Sequence, residues 1–241
     1  MAKPRQVALV TGSAKRLGRA LALGLAERGV AAAIHYRGSR AAAEEAVQQA
    51  RSLGVEAEAF QADLASVEPA AGLVDRVVAA MGRIDFLVNN ASIFDRVGLA
   101  DTELDLWQQH LAIHMTSPYL LCRSFAARAP AGAAVLNMLD WRALRPTRAS
   151  FAYTVSKAGL AAMTRSLAQD LAPAVRVNGL AMGAILPPPG EDDFSPEVMR
   201  PIPAERPGSL EEVVEAARFL LLGPGYITGE ILHLDGGRHL A

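Results

Sequence analysis

Short apolar runs recur along this chain, and each is followed by a longer stretch with helical spacing. The strand-like runs are Gln6–Val10, Val30–Tyr36, Glu56–Gln61, Ile84–Asn89, Ala133–Met138, Val175–Leu180 and Ile231–Leu234. Helical patterns occupy Leu17–Arg28, Ala41–Leu53, Ala70–Met81, Leu104–Arg128, Ser150–Leu171 and Leu210–Leu222. Strands that are apolar throughout, rather than alternating, suit a parallel sheet covered on both faces. The βαβα rhythm therefore predicts an α/β chain. Residues 1–241 read as one domain, since no repeat and no linker interrupts the rhythm. The long irregular stretch Met182–Pro207 contains three consecutive prolines and then Glu191-Asp192-Asp193. A loop of that length inside a compact domain is usually functional, so a lid over a site is expected at about 182–207. A surface insertion without a role is the alternative.

A chain of 241 residues, 51% hydrophobic, can bury a full core. Its net charge of −1 offers no general attraction to nucleic acid or anionic membrane. The single cysteine, Cys122, permits no internal disulfide, and its apolar surroundings fit a small core residue better than a reactive thiol. The N-terminal stretch MAKPRQVALVTG has no secretory pattern, and no run is long enough to span a bilayer. A cytoplasmic location is the expectation.

Thr11-Gly12-Ser13-Ala14-Lys15-Arg16-Leu17-Gly18 follows a strand and opens a helix. That is the setting in which glycines let the backbone approach a pyrophosphate while the helix N-terminus supplies amide donors. A plain structural βα turn would look similar. Arg16 stands where such loops usually carry a middle glycine, so its side chain must have a use. The end of the second strand bears on the cofactor. An NAD site normally has Asp or Glu there for the ribose 2′-hydroxyl. This chain has Tyr36, Arg37 and Ser39, with no acid before Glu44. Arginine and serine suit a 2′-phosphate, which favours NADPH; a solvated basic loop is the alternative.

Asp63-Leu64 follows the third strand and is placed to meet an adenine ring. Asn89-Asn90-Ala91-Ser92 ends the fourth strand, at the edge where open α/β sheets bind ligands. Its asparagines are alternatively helix caps. Tyr153 and Lys157 are four apart on a helix and share a face. A lysine cation beside a phenol lowers its pKa from about 10 toward useful acid–base range. Asp140 precedes the tyrosine by thirteen residues. A serine there would help a tyrosine bind the developing alkoxide of a ketone. A carboxylate repels that oxyanion and suits a nitrogen heterocycle, whose N–H groups it accepts. The alternative is a loop cap. His110 and His114 have metal-ligand spacing, but no third ligand stands near them, so no metal is expected.

Thr11-Gly12, Gly18, Asn89-Asn90-Ala91 and Tyr153-x-x-x-Lys157 together resemble the short-chain dehydrogenase/reductase superfamily, over essentially the whole chain. Arg16, His35-Tyr36, Ser92-Ile93-Phe94 and Asn137-Met138-Leu139-Asp140 are similar to the pteridine reductases within it. The resemblance implies a doubly wound Rossmann-type domain with a seven-stranded sheet in the order 3-2-1-4-5-6-7. It implies NADPH bound by Gly12, Arg16, Leu17, Gly18, Tyr36, Arg37, Ser39, Asp63, Leu64, Asn90, Ala91, Ser92, Met138, Tyr153, Lys157, Gly183 and Ile185. The substrate would meet Arg16, Phe94, Asp140 and Tyr153, with Phe94 stacking a pterin against the nicotinamide. Catalysis would fall to Asp140, Tyr153, Lys157 and His114.

Two positions depart from the superfamily pattern. His114 stands where an asparagine usually holds a relay water, and histidine can both hold water and titrate. Met182-Gly183 replaces the usual Pro-Gly. The expected activity is reduction of a dihydropterin to a tetrahydropterin, with dihydrofolate and dihydromonapterin fitting equally well. A carbonyl reductase of oxoacyl thioesters or sugars is the first alternative, and a catalytically silent cofactor-binding protein the second. Small residues such as Ala161, Ala162 and Ala168 on the long helices resemble a dimer face, and paired dimers imply a homotetramer of D₂ symmetry.

Overall fold

Seven parallel strands form one sheet in the order β3-β2-β1-β4-β5-β6-β7. They are β1 (Val7–Val10), β2 (Ala31–Tyr36), β3 (Ala57–Gln61), β4 (Phe86–Asn89), β5 (Ala133–Asp140), β6 (Val175–Met182) and β7 (Ile231–Leu234). This computed structural model describes residues 5–187 and 190–241. The first four residues of the N-terminal stretch, and Pro188 and Pro189 of the expected lid, lie outside the described residues.

Each strand sits within two residues of its expected bounds. The helices are α1 (Arg16–Ala26), α2 (Arg40–Ser52), α3 (Val67–Met81), α4 (Leu104–Leu111), α5 (Ser117–Arg128), α6 (Phe151–Leu171), α7 (Pro196–Met199) and α8 (Leu210–Leu222). Two expectations need correction. The stretch Leu104–Arg128 is not one regular helix, because a π-helical turn at Ala112–Thr116 separates α4 from α5. Such turns re-aim the side chains they carry and are frequent at functional sites. The stretch Met182–Pro207 is not wholly irregular either: Met182 ends β6, and Pro196–Met199 forms the short α7.

Successive strand residues point to opposite faces, and the core divides accordingly. Ala8 and Val10 of β1 pack with Leu21 and Leu25 of α1 and Val213 and Leu220 of α8. Val7 and Leu9 pack with Leu73 and Val77 of α3 and Leu121 and Phe125 of α5. Cys122 is buried in this second layer, and burial pushes its thiol up to about 12. It is a core residue, as expected, since the reactive form is the thiolate.

The strand order reverses at β1, which pairs with β2 on one side and β4 on the other. Chains leaving β1 and β4 therefore diverge to opposite faces and open a crevice at the carboxyl edge. Thr11 closes its floor. Its Oγ1 accepts from the amides of Asn90 at 2.8 Å and Ala91 at 2.9 Å, tying the ends of β1 and β4 together.

Candidate active site

The crevice is a cavity of about 1380 Å³. Every expected cofactor and substrate residue lines it, from Gly12 and Arg16 through Phe94 and Asp140 to Gly183 and Ile185. His114 alone among the expected site residues does not.

The glycine loop forms its first wall. Gly12 has φ +65°, a conformation that favours glycine. A Cβ on Gly18 would lie 2.2 Å from the Gly12 carbonyl oxygen and 2.6 Å from Asn90 Nδ2. The loop is thus packed so tightly that only glycine fits, and α1 begins without a side-chain cap. Its first amides remain for a ligand. This cradle fits a dinucleotide pyrophosphate. Asn90 is no helix cap; its Nδ2 donates to the Thr11 carbonyl at 2.8 Å and supports the loop from behind. Arg16 adopts φ +50°, where a side chain is strained, and its Nη2 donates to the Pro187 carbonyl at 2.7 Å. The loop and the segment after β6 are bridged by that bond.

His35 supports the loop from β2. Its Nδ1 accepts from the Gly12 amide at 2.8 Å, so the proton rests on Nε2, which donates to the Ala62 carbonyl at 3.1 Å. Burial holds this imidazole down to about 4, so it is neutral at pH 7. Sequence reasoning assigned His35 no role, and nothing local to it could have done so. At the β2 end, Glu44 is engaged by Arg40 at 2.8 Å. Ser39 begins α2 but does not cap it, leaving its hydroxyl free beside exposed Arg37. The acid-free rim therefore matches a 2′-phosphate better than a ribose hydroxyl.

The other half of the cavity carries the reactive groups. β5 delivers Asp140 at its end, and α6 delivers Tyr153 and Lys157 one turn apart. The Tyr153 hydroxyl donates to Asp140 Oδ2 at 3.1 Å. Lys157 Nζ donates to the Met138 carbonyl at 2.8 Å, and burial lowers its pKa to about 8. The expectation of a depressed phenol pKa is corrected here. Burial raises Tyr153 well above its ordinary value, and the charge of Asp140 raises it further. In this state the phenol is a protonated donor.

Asp140 is a cap as well as a site residue. Its Oδ1 accepts from the Arg142 amide at 2.8 Å, and Arg142 Nη1 lies 3.2 Å from both oxygens. The Phe94 ring stands 4.8 Å from that of Tyr153, edge to face, and 5.7 Å from the Arg142 guanidinium carbon. Arg142, two residues beyond Asp140, is a site residue that sequence reasoning missed. Its only signal was that proximity.

The titrating relay expected at His114 is corrected too. The ring is buried in the π turn, with Nδ1 2.8 Å from Ser156 Oγ and Nε2 2.8 Å from Ser92 Oγ. Ser156 spends its proton on the Tyr153 carbonyl, so His114 Nδ1 donates and Nε2 accepts. Burial, then Lys157 and His110, holds the ring well below its ordinary pKa and therefore neutral. His114 fixes α6 against the segment carrying Phe94. His110 is buried nearby, its Nε2 3.2 Å from Asp95 Oδ2 without hydrogen-bond alignment. Among the described residues no group of three or more His, Cys, Asp or Glu could hold a metal. None of the described helices is long and apolar enough to cross a membrane.

Comparison with known proteins agrees with this geometry. A family model described as enoyl-(acyl carrier protein) reductase matches residues 12–239. A 3-oxoacyl-[acyl-carrier-protein] reductase of Synechocystis is 32% identical, over 96% of each chain. A FolM alternative dihydrofolate reductase 1 from Brucella canis, crystallised with NADP, is 35% identical with a TM-score of 0.89, over 98% of this chain and 95% of that one. A blue fluorescent protein from a metagenomic library, in complex with NADPH, is 30% identical with a TM-score of 0.92, over 98% of each. With the glycine cradle, the Asn90 support and the Tyr153–Lys157 pair all at one sheet edge, the chain belongs to the short-chain dehydrogenase/reductase superfamily of oxidoreductases.

Proposed function

We propose that the chain reduces a dihydropterin with NADPH. The observation that carries this reading is the carboxylate of Asp140 in contact with the Tyr153 hydroxyl, where a carbonyl reductase would want a second donor. The solved FolM structure, with dihydrofolate reductase in its name and NADP bound, supports it.

Gly12 to Gly18 would hold the pyrophosphate, and Arg37 and Ser39 the 2′-phosphate. Asp63 and Leu64 would take the adenine. Ala91, Met138, Gly183 and Ile185 would flank the nicotinamide, with Tyr153 and Lys157 at its ribose. When bound, NADPH supplies the hydride. The chain's own residues then manage the proton. Phe94 packs the flat heterocycle, and Asp140 accepts from its N–H groups. Tyr153, held protonated, donates to the ring nitrogen of the C=N bond. Lys157 stabilises the phenolate that remains. Arg16, whose guanidinium donates to the Pro187 carbonyl across the cavity mouth, would meet both ligands from the glycine loop. The segment 182–207 acts as a lid, with Ile185, Phe194, Val198 and Ile202 facing the cavity.

A second reading, reduction of a 3-oxoacyl thioester, is favoured by the Synechocystis relative. NADPH oxidation with dihydrobiopterin, dihydromonapterin, dihydrofolate and acetoacetyl thioesters separates the two. Turnover of the thioester alone refutes the pterin reading.

A further inference from the structure

Guanidiniums crowd the cavity wall beyond Asp140, while the cavity's other acids, Asp63, Glu191 and Glu197, stand after β3 and after β6. Trp141 is buried, and two guanidinium carbons lie against its ring: Arg142 at 4.9 Å and Arg238 at 4.8 Å. Arg142 is answered by Asp140. Arg238 is not answered. Its Nη1 is buried with no hydrogen-bond partner, and it has no ion pair among the described residues. The acid whose charge it feels is already committed: Asp235 accepts from the Gly237 and His239 amides and from His239 Nδ1. Arg148 and Arg96, both exposed, line the same cavity. Burial and then the neighbouring charges of Arg142 and Arg145 lower the pKa of Arg238. Like charges crowded in a half-buried wall are unfavourable alone, and a buried unpaired donor costs the full desolvation of that group. Both costs vanish if the ligand brings an anion.

We propose that Arg238 and Arg142, stacked on Trp141, form an anion subsite for the substrate's tail, so that the preferred substrate is a dihydropterin bearing carboxylates, as in an acylglutamate tail. The proposal rests on the pterin reading and deepens it. Phe94, which would stack the pterin ring, is the second aromatic ring within reach of Arg142. A tail on that ring would lie within reach of the Arg142 guanidinium, which shares the Trp141 ring with Arg238. A planar guanidinium fork binds a carboxylate in two-point fashion, and its aromatic seat pre-orients it.

Two measurements test this. The first compares KM for dihydrofolate and for dihydrobiopterin, whose tail is uncharged, in wild type, Arg238→Met and Arg238→Lys. The Arg238→Met change should raise KM for dihydrofolate about tenfold more than KM for dihydrobiopterin, with Arg238→Lys intermediate. The second follows Trp fluorescence as p-aminobenzoylglutamate, the tail alone, is added with no turnover. Wild type should bind it, more weakly at high salt, and Arg238→Met should lose it. Equal KM shifts for both pterins, or salt-independent binding of the tail, would overturn the subsite. Should Arg238→Met fail to fold, the salt dependence in the wild type still decides. Tail binding lost in Arg238→Met, in a protein that reduces no pterin, would keep the subsite and sink the pterin reading. Reduction of pterins without tail binding would do the reverse.

Discussion

The Tyr153 hydroxyl and Asp140 Oδ2 lie 3.1 Å apart, and the carboxylate helps to keep the phenol protonated. Changing Asp140→Ser removes the acceptor and that charge. Dihydropterin reduction should fall about 10²-fold, as for loss of an acid–base participant. Activity on an activated ketone should hold or rise, since the repulsion of the alkoxide is gone. The pH profile should move as well. A group whose pKa is raised donates up to a higher pH, so activity is lost as pH rises through it. Removing Asp140 lowers that pKa, and the alkaline limb on the ketone should shift to lower pH. Unchanged pterin turnover would make Asp140 only the cap of Arg142.

Arg37 and Ser39 offer a similar contrast at the cofactor end. The double change Arg37→Asp and Ser39→Ala should weaken NADPH at least tenfold more than NADH, because a charge-assisted phosphate contact contributes about 1.5–3 kcal/mol. Cofactor titrations by fluorescence measure both. A wild type that prefers NADH would contradict the reading of this rim.

His35 makes the glycine loop sensitive to acid. Its folded pKa is about 4 against the ordinary 6.5. A depressed pKa contributes stability that is present above pH 6.5 and lost as pH falls through 4. At about 1.4 kcal/mol per unit, the loss is at most roughly 3 kcal/mol. His35→Asn keeps an acceptor for the Gly12 amide but does not titrate. Urea melts at pH 6.5 and 4.5 should show a smaller drop for the variant. Parallel drops would mean that the other depressed imidazoles, His110, His114 and His233, carry the effect.

Ala161 and Ala168, expected on a dimer face, are instead buried in the chain's own core, and only Ala162 of the three is exposed; exposed apolar side chains do gather in two other regions. Leu99, Leu104, Tyr119 and Val155 lie on and near α4, α5 and α6; Phe219, Leu222, Tyr226 and Leu240 lie near α8 and the β7 edge. Two self-complementary faces generate a D₂ tetramer. Light scattering at micromolar concentration should report four chains, and Tyr119→Asp together with Val155→Asp should yield dimers. A wild-type monomer would refute this arrangement.

Apolar runs and the βα rhythm placed all seven strands: burial on both faces of a parallel sheet leaves the inner strands apolar throughout, whereas the edge strand β3 alternates, with Glu58 and Gln61 exposed. The glycine loop, the acid-free rim at Tyr36 to Ser39 and the Tyr153–Lys157 pair were legible for the same reason: each is local, set by turn geometry or helical spacing. Other features depend on where distant segments meet. Gly12 and His35, and Asn90 and Thr11, pair across the sheet edge, Ser156 and His114 pair between α6 and the π turn, and no local pattern announces them. The π turn at Ala112–Thr116 hid inside a helical period that the sequence shows unbroken. Arg142 and Arg238 meet on Trp141 only because β5 and the chain after β7 finish at the same edge. The sign of the Tyr153 shift was misjudged from the Lys157 neighbour, since spacing reports proximity but not burial. Desolvation in the assembled core, and then the charge of Asp140, outweigh the lowering by Arg142 and leave the phenol protonated.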